Sequence, residues 1–267
     1  MSDTDTGSLN SQIETLRGEV AKLRKERDAA EHAKTEYMQN VAHQLAAPIN
    51  AVKLNIDALK RPRIPVARAK GLLNSIYCQG TILAHLVKNF SLMSDLDAHH
   101  NLESFREKPE DVDICLLCVS FASDFHPIGF YKNQKIYVLE EEFEKHRRPR
   151  VWAIKNLLSQ VVYNLLENAT KYADADTDVT IGLDVDANWF SMKFTSVGAP
   201  ISPAEAATIF DRGVRGTAAK ARHPAGTGFG LYIARRIMEI HKGKLSVSTN
   251  GRTSVFRIKC PRTKGID

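Results

Sequence analysis

Residues 158–173, LSQVVYNLLENATKYA, decide how the chain is read. Leu158, Val161, Leu165 and Ala169 recur at spacings of three and four, so the segment is an amphipathic helix with those residues on its buried stripe. Asn164, Asn168 and Lys171 fall at i, i+4 and i+7 and stack on another face. Two amides and a cation in a row suit a triphosphate with magnesium. An amide oxygen is a hard ligand for Mg²⁺, and an ammonium balances phosphate charge. Taken alone, the segment reads more simply as an ordinary polar helix face.

Two later segments bear on the same chemistry. In FTSVGAPIS, residues 194–202, a strand ends on Gly198, which permits close approach of a ligand or of another backbone. In RHPAGTGFGLYIARRI, residues 222–237, Gly226, Gly228 and Gly230 lead into an apolar helix. Free N–H groups there would face an anion, helped by the helix dipole. The spacing is not that of a Walker A loop, and no strand directly precedes it as in a dinucleotide fold. Each of these two signals is weak by itself.

Working outward, residues 1–10 are small and polar and are expected to be disordered. Residues 11–36 read as a coiled-coil-like helix with Ile13, Leu16, Val20 and Leu23 on its seam. In residues 37–98, Val41, Leu45, Ile49, Val52, Ile56 and Leu59 form one apolar stripe. RPRIP (61–65) forces a turn, and Leu72, Ile76, Leu83, Leu86, Phe90 and Met93 form a second stripe. One hairpin cannot bury both stripes; two would make a four-helix bundle, which implies a homodimer. Residues 99–110 read as a linker, 111–262 as a second domain and 263–267 as a tail. In the second domain the pattern predicts helices over 114–125, 151–172, 203–210 and 228–241. It predicts strands over 135–140, 178–185, 189–197, 244–250 and 253–260. Helices segregated from a mixed sheet give an α/β sandwich.

The bulk numbers bound this reading. The chain has 267 residues, 43% hydrophobic and 25% charged, with net charge +6. Its basic residues are scattered and form no DNA-reading motif, so no nucleic-acid partner is expected. No apolar run is long enough to span a membrane and no signal peptide leads the chain, which predicts a cytoplasmic protein. Cys115 and Cys118 form a CxxC inside the apolar run DICLLCVSFA, and no second ligand pair follows. They read as buried thiols rather than a metal or redox pair.

In their order along the chain these segments resemble the sensor histidine kinases. NLLENATKY is similar to that family's asparagine box, IFDRGVRG (209–216) to its phenylalanine box and GTGFGLYIAR (226–235) to its second glycine box. NVAHQLAAPINAV (40–52) is similar to its phosphoacceptor box. The resemblance covers residues 35–260. It implies a dimeric helical hairpin followed by a Bergerat-fold ATP-binding domain, with ATP and Mg²⁺ as cofactors. His43 would be the phosphoacceptor, and an aspartate on a separate response regulator would receive the phosphoryl group. A separate sensor protein would supply the signal. The resemblance assigns Mg²⁺ to Asn168 with Asn164 helping, and phosphate or ribose to Lys171 and Tyr172. Gly226, Thr227, Gly228, Phe229, Gly230 and Leu231 would form the lid hinge and the phosphate-facing helix start, with residues 212–225 as a mobile lid.

This chain departs from the pattern at four places. Where the first glycine box carries an adenine-binding Asp, the run is Ser196, Val197, Gly198, Ala199, Pro200. Losing that charge-assisted bond costs about 1–2 kcal/mol of affinity. Gly213 stands where the phenylalanine box has its second Phe. Gln44 follows His43 where an acid is usual; its carbonyl can orient the ring but cannot accept a proton. Ala47 stands where Thr or Asn positions water, so a poor phosphatase is expected. His32, His85 and His241 read as bystanders. Two alternatives stay open: a catalytically weak, nucleotide-binding dimeric scaffold, and a hydrolytic ATPase. The second would need a carboxylate base where Asn164 stands.

Overall fold

The computed structural model describes residues 3–62, 64–98, 101–130, 132–223 and 227–262. Gly226, the tail 263–267 and the side chains of Ile13, Gln44, Cys78 and His85 lie outside the described residues. Two units divide between Val87 and Lys88.

The first unit is helical. Helix α1 (Asp3–Leu59) runs for 57 residues, through Pro48 without interruption, and α2 (Val66–Ala98) follows after the turn at Pro62 and Pro65. α1 starts at Asp3, so residues 3–10 are helical rather than disordered. Asn55 Nδ2 donates to Ser75 Oγ across the hairpin at 2.8 Å. Among the described residues no helix is long and apolar enough to cross a membrane.

The last turns of α2 count with the second unit rather than with the hairpin, as the sequence had placed them. Met93 and Leu96 are each 1% exposed, and the Phe90 ring meets Phe229 edge-on at 5.8 Å. The second unit then carries β1 (Glu110–Asp113), α3 (Ile114–Phe130), β2 (Ile136–Val138), α4 (Glu140–Glu144), β3 (Arg150–Ala153) and α5 (Lys155–Tyr172). There follow β4 (Val179–Val185), β5 (Trp189–Val197), α6 (Pro203–Thr208), α7 (Thr217–Arg222), α8 (Gly230–Ile240), β6 (Lys244–Asn250) and β7 (Thr253–Pro261). The main sheet has five strands in the order β2-β4-β5-β7-β6, with β2 parallel to β4 and the other pairs antiparallel. Alternation along β5 buries Met192, Phe194 and Ser196, and helices α3, α5 and α8 lie side by side over the sheet. Cys115 and Cys118 are buried in α3.

The expected helix over 151–172 begins four residues late. Residues 150–153 instead form β3, which pairs antiparallel with β1 in a small second sheet. Val151 and Ala153 face inward while Arg150 and Trp152 are exposed. Arg150 Nε donates to Asp111 across the pair at 2.6 Å. Four residues show only two alternations, and Ile154 at the helix start offers no capping side chain to mark the boundary.

His241, read as a bystander, is a core strut. It is 6% exposed; Ile154 N–H donates to its Nε2 at 3.1 Å and its Nδ1 lies 2.8 Å from Ile237 O. Those partners require a neutral ring protonated on Nδ1. Burial holds its pKa below the ordinary value, the bond to Ile237 O opposing only in part. The unfolded state therefore binds a proton that the folded state refuses. Stability from this site is complete above about pH 6.5 and falls as the pH drops below it. His241→Gln, which keeps one donor and one acceptor, is expected to flatten that acid limb in pH-dependent melts. His241→Ala strands the Ile154 N–H and is expected to lose about 1–3 kcal/mol at pH 8.

Candidate nucleotide site

The site is assembled around the C-terminal half of α5. Asn168, Lys171 and Tyr172 are half-buried on its open side. Among the described residues the Asn168 amide makes no hydrogen bond, and the Lys171 ammonium makes no ion pair; it sits 5.6 Å from the centre of the Tyr172 ring. A free amide oxygen and a free cation one turn apart are what a magnesium–triphosphate requires.

Asn164 differs from the expected open ligand. It is 2% exposed, its Oδ1 accepts from Gln160 Nε2 at 2.9 Å, and its Nδ2 donates to Gly230 O at 2.9 Å. Both ends of the amide are committed, so Asn164 ties α5 to the first residue of α8. At that start Phe229 is the N-cap and no side chain caps the helix. Among the described residues the first N–H groups after it, from Gly230 to Tyr232, meet no acceptor, which leaves donors for an anion. Phe229 N–H donates to Thr227 Oγ1 at 3.3 Å, and the Phe229 side chain is 2% exposed against Phe90. Phe229 is therefore an anchor for the helix start. Leu231 is half-buried beside it.

The glycines have separate reasons. Gly228 has φ +74°, and a Cβ there would lie 2.7 Å from both C and O of Gly213. Gly213 also has φ +74° but open space around it. A second phenylalanine at 213 would thus be strained by the backbone conformation alone. Gly198 admits backbone rather than ligand: a Cβ would lie 2.1 Å from Tyr172 O and 2.6 Å from Ala173 Cα. Its N–H donates to Arg252 O at 2.8 Å, and Ala199 N–H donates to Tyr172 O at 3.0 Å. Ser196 is 9% exposed on the helix-facing side of β5. On α1, in the first unit, His43 is exposed and Pro48 is buried.

Several residues at this end of the sheet carry no motif. Lys132 Nζ donates to Thr170 O and Lys171 O, each at 2.8 Å. The stretch expected as a mobile lid contains helix α7. Glu205, which closes a capping box on Ser202 of α6, also accepts the Thr217 N–H at 2.6 Å. The bonds from the Thr217 and Ser202 backbones hold its carboxyl at about 2. Arg215 donates to the carbonyls of Ala219 and His223. At the far end of α7, His223 Nε2 reaches Lys171 O at 2.9 Å, and Arg222 binds Asp174 and Tyr172 O. The surplus of Lys and Arg in residues 212–222 was the available sequence signal; their partners are some fifty positions away.

Gly228→Ala is expected to cost about 1–2 kcal/mol in left-handed backbone strain and more from the clash with Gly213. Gly213→Ala carries the strain alone. Scanning calorimetry should show the larger loss at 228, at about 2–4 °C per kcal/mol. Equal losses at the two positions would contradict the packing described.

Residues 153–264 match the family described as histidine kinase-, DNA gyrase B-, and HSP90-like ATPase. The heme sensor protein HssS of Staphylococcus aureus (strain JH9) is 27% identical over 255 residues, covering 94% of this chain and 52% of that protein. The chain thus spans about half the length of the curated relatives it matches. The Acinetobacter baumannii histidine kinase AdeS superposes with a TM-score of 0.61 at 20% identity, over 83% of this chain and 98% of that one. Histidine kinase ThkA, solved in complex with response regulator protein TrrA, gives 0.60 at 20% identity, over 85% and 61%. The helical hairpin and the five-stranded sheet thus have the fold of these solved histidine kinases, and the match to the ATPase family lies within the second unit.

Proposed function

We propose that the chain is an ATP-dependent protein histidine kinase that phosphorylates His43 and hands the phosphoryl group to an aspartate on a separate response regulator. The observation that carries this is the contrast between two asparagines on one helix. Asn164 is consumed in holding α8, while Asn168 is left open beside the Lys171 ammonium. Asn168 would hold Mg²⁺ through its amide oxygen; the ion neutralises charge on the phosphates when bound. Lys171 and the first N–H groups of α8 would hold the phosphates, and Ser196 would accept from the adenine amino group. His43 attacks with a ring-nitrogen lone pair. A P–N bond forms as the bond between the β- and γ-phosphates breaks, and ADP leaves.

The hairpin supports dimerisation. Ile49 is 51% and Ile56 39% exposed, though both belong to the apolar stripe of α1; Leu73 and Val87 of α2 are 56% and 59% exposed. A second copy would cover these faces. A cytoplasmic setting supplies the ATP and keeps the buried thiols reduced.

Incubation with γ-labelled ATP tests the reading. The label should be acid-labile and base-stable, absent in His43→Ala, and reduced at least a hundredfold in Asn168→Ala with folding unchanged, in keeping with the loss of a metal ligand. Label retained in His43→Ala would reject the phosphoacceptor. No label on wild type that still binds ATP would leave a nucleotide-binding scaffold. Steady phosphate release without a phosphoprotein would indicate a hydrolase. Calorimetric titration is expected to show about tenfold tighter ATP binding in Ser196→Asp, through the restored charge-assisted bond. Unchanged affinity would place the adenine elsewhere.

A further inference from the structure

Asp174 lies two residues past α5 and belongs to none of the motifs. Its backbone is clamped: its N–H donates to Val197 O at 2.9 Å, and its carbonyl accepts from Gln134 Nε2 at 2.9 Å and Thr177 Oγ1 at 2.8 Å. Its carboxylate therefore points from a fixed base, and two arginines from distant elements share it. Oδ1 takes Arg222 Nη2 at 2.7 Å; Oδ2 takes Arg252 Nη2 and, at 3.2 Å, Arg252 Nε. Arg222 is the last residue of α7, and Arg252 sits in the turn between β6 and β7.

Helix α7 has six residues, too few to be stable by itself. It is tied at its start by Glu205 to the Thr217 N–H and at its end by Arg222 and His223. Arg222 Nη1 also donates to Tyr172 O, and the His223 ring stands edge-on to Tyr172 at 5.6 Å. The end of α7 is thus docked on the turn of α5 that carries Lys171 and Tyr172. A lone exposed ion pair contributes little. This carboxylate is 26% exposed, its base is fixed, and it accepts charge-assisted bonds on both oxygens.

We propose that Asp174 is a positioning residue: through Arg222 it docks helix α7 on the end of α5, and this docking sets how long a nucleotide stays bound. The nucleotide half rests on the kinase reading above; the docking half does not. Arg252 holds the carboxylate from its other side, so Asp174 keeps its orientation when Arg222 lets go.

The test uses the full chain as wild type, Asp174→Asn, Asp174→Glu, Arg222→Gln and the Asp174→Asn/Arg222→Gln double variant. In nucleotide-free protein, hydrogen exchange should show the amides of α7 protected in wild type. Asp174→Asn and Arg222→Gln should each lose that protection, with α5 and α8 unchanged, and Asp174→Glu should keep it. A fluorescent ADP analogue with Mg²⁺ is the second probe. Its dissociation, and KM for ATP, are expected to rise roughly tenfold in Asp174→Asn and in Arg222→Gln but not in Asp174→Glu, with kcat within about twofold. The double variant should be no worse than either single one. Unchanged exchange in α7, protection lost across the whole second unit, or additive effects in the double variant would overturn the proposal. Failure of wild type to bind the analogue would reject the nucleotide half together with the kinase reading, while the exchange data would still judge the docking.

Discussion

The backbone carbonyls of Thr170, Lys171 and Tyr172, at the end of α5, have no partner further along their own helix, and where they find donors organises the second unit. Helix ends leave such acceptors unmet, and a half-buried end must satisfy them from elsewhere. Here the donors come from the α3–β2 loop through Lys132, from α7 and its C-cap through Arg222 and His223, and from the segment after β5 through Ala199. Three separate stretches of chain are thereby drawn to one helix end. Cations suit that end, because the helix dipole places partial negative charge there. The residues assigned to phosphate stand on the same turn, so the demand that fixes the fold also fixes the site.

The other end of the arrangement is set by one buried amide. Asn164 joins α5 to the first residue of α8, and with Phe229 packed on Phe90 it holds the uncapped helix start in place. An uncapped helix start is a cost to a fold and an asset to an anion site, since its N–H groups remain available. Glycine at 228 is required twice, by its positive φ and by the backbone of Gly213 beneath it. Rigid supports therefore flank an opening whose own polar groups, on Asn168 and Lys171, are uncommitted.

Much of this was legible in residue order. The alternating runs at 189–197 and 244–250 became β5 and β6 over the same residues, because a two-residue period on a half-buried strand leaves no choice of face. The amphipathic segment ending at Tyr172 became α5. Short elements were not legible. β1 and β3 are four residues each, and their identity comes from pairing with one another across forty positions. Helix α7, hidden in a Gly- and Arg-rich stretch, exists through its ties to Glu205, Asp174 and Lys171.

The sequence by itself determined the periodic elements, the order of the motifs and the residue types offered to a phosphate. Those depend on neighbours three or four positions away, which a string of letters displays. The tertiary structure alone decided which of two similar asparagines stays open, why Gly198 must lack a side chain, and that His241 is a neutral strut. Each of those outcomes turns on a hydrogen bond or a contact between residues some twenty-five to ninety positions apart, where linear spacing carries no information about who meets whom.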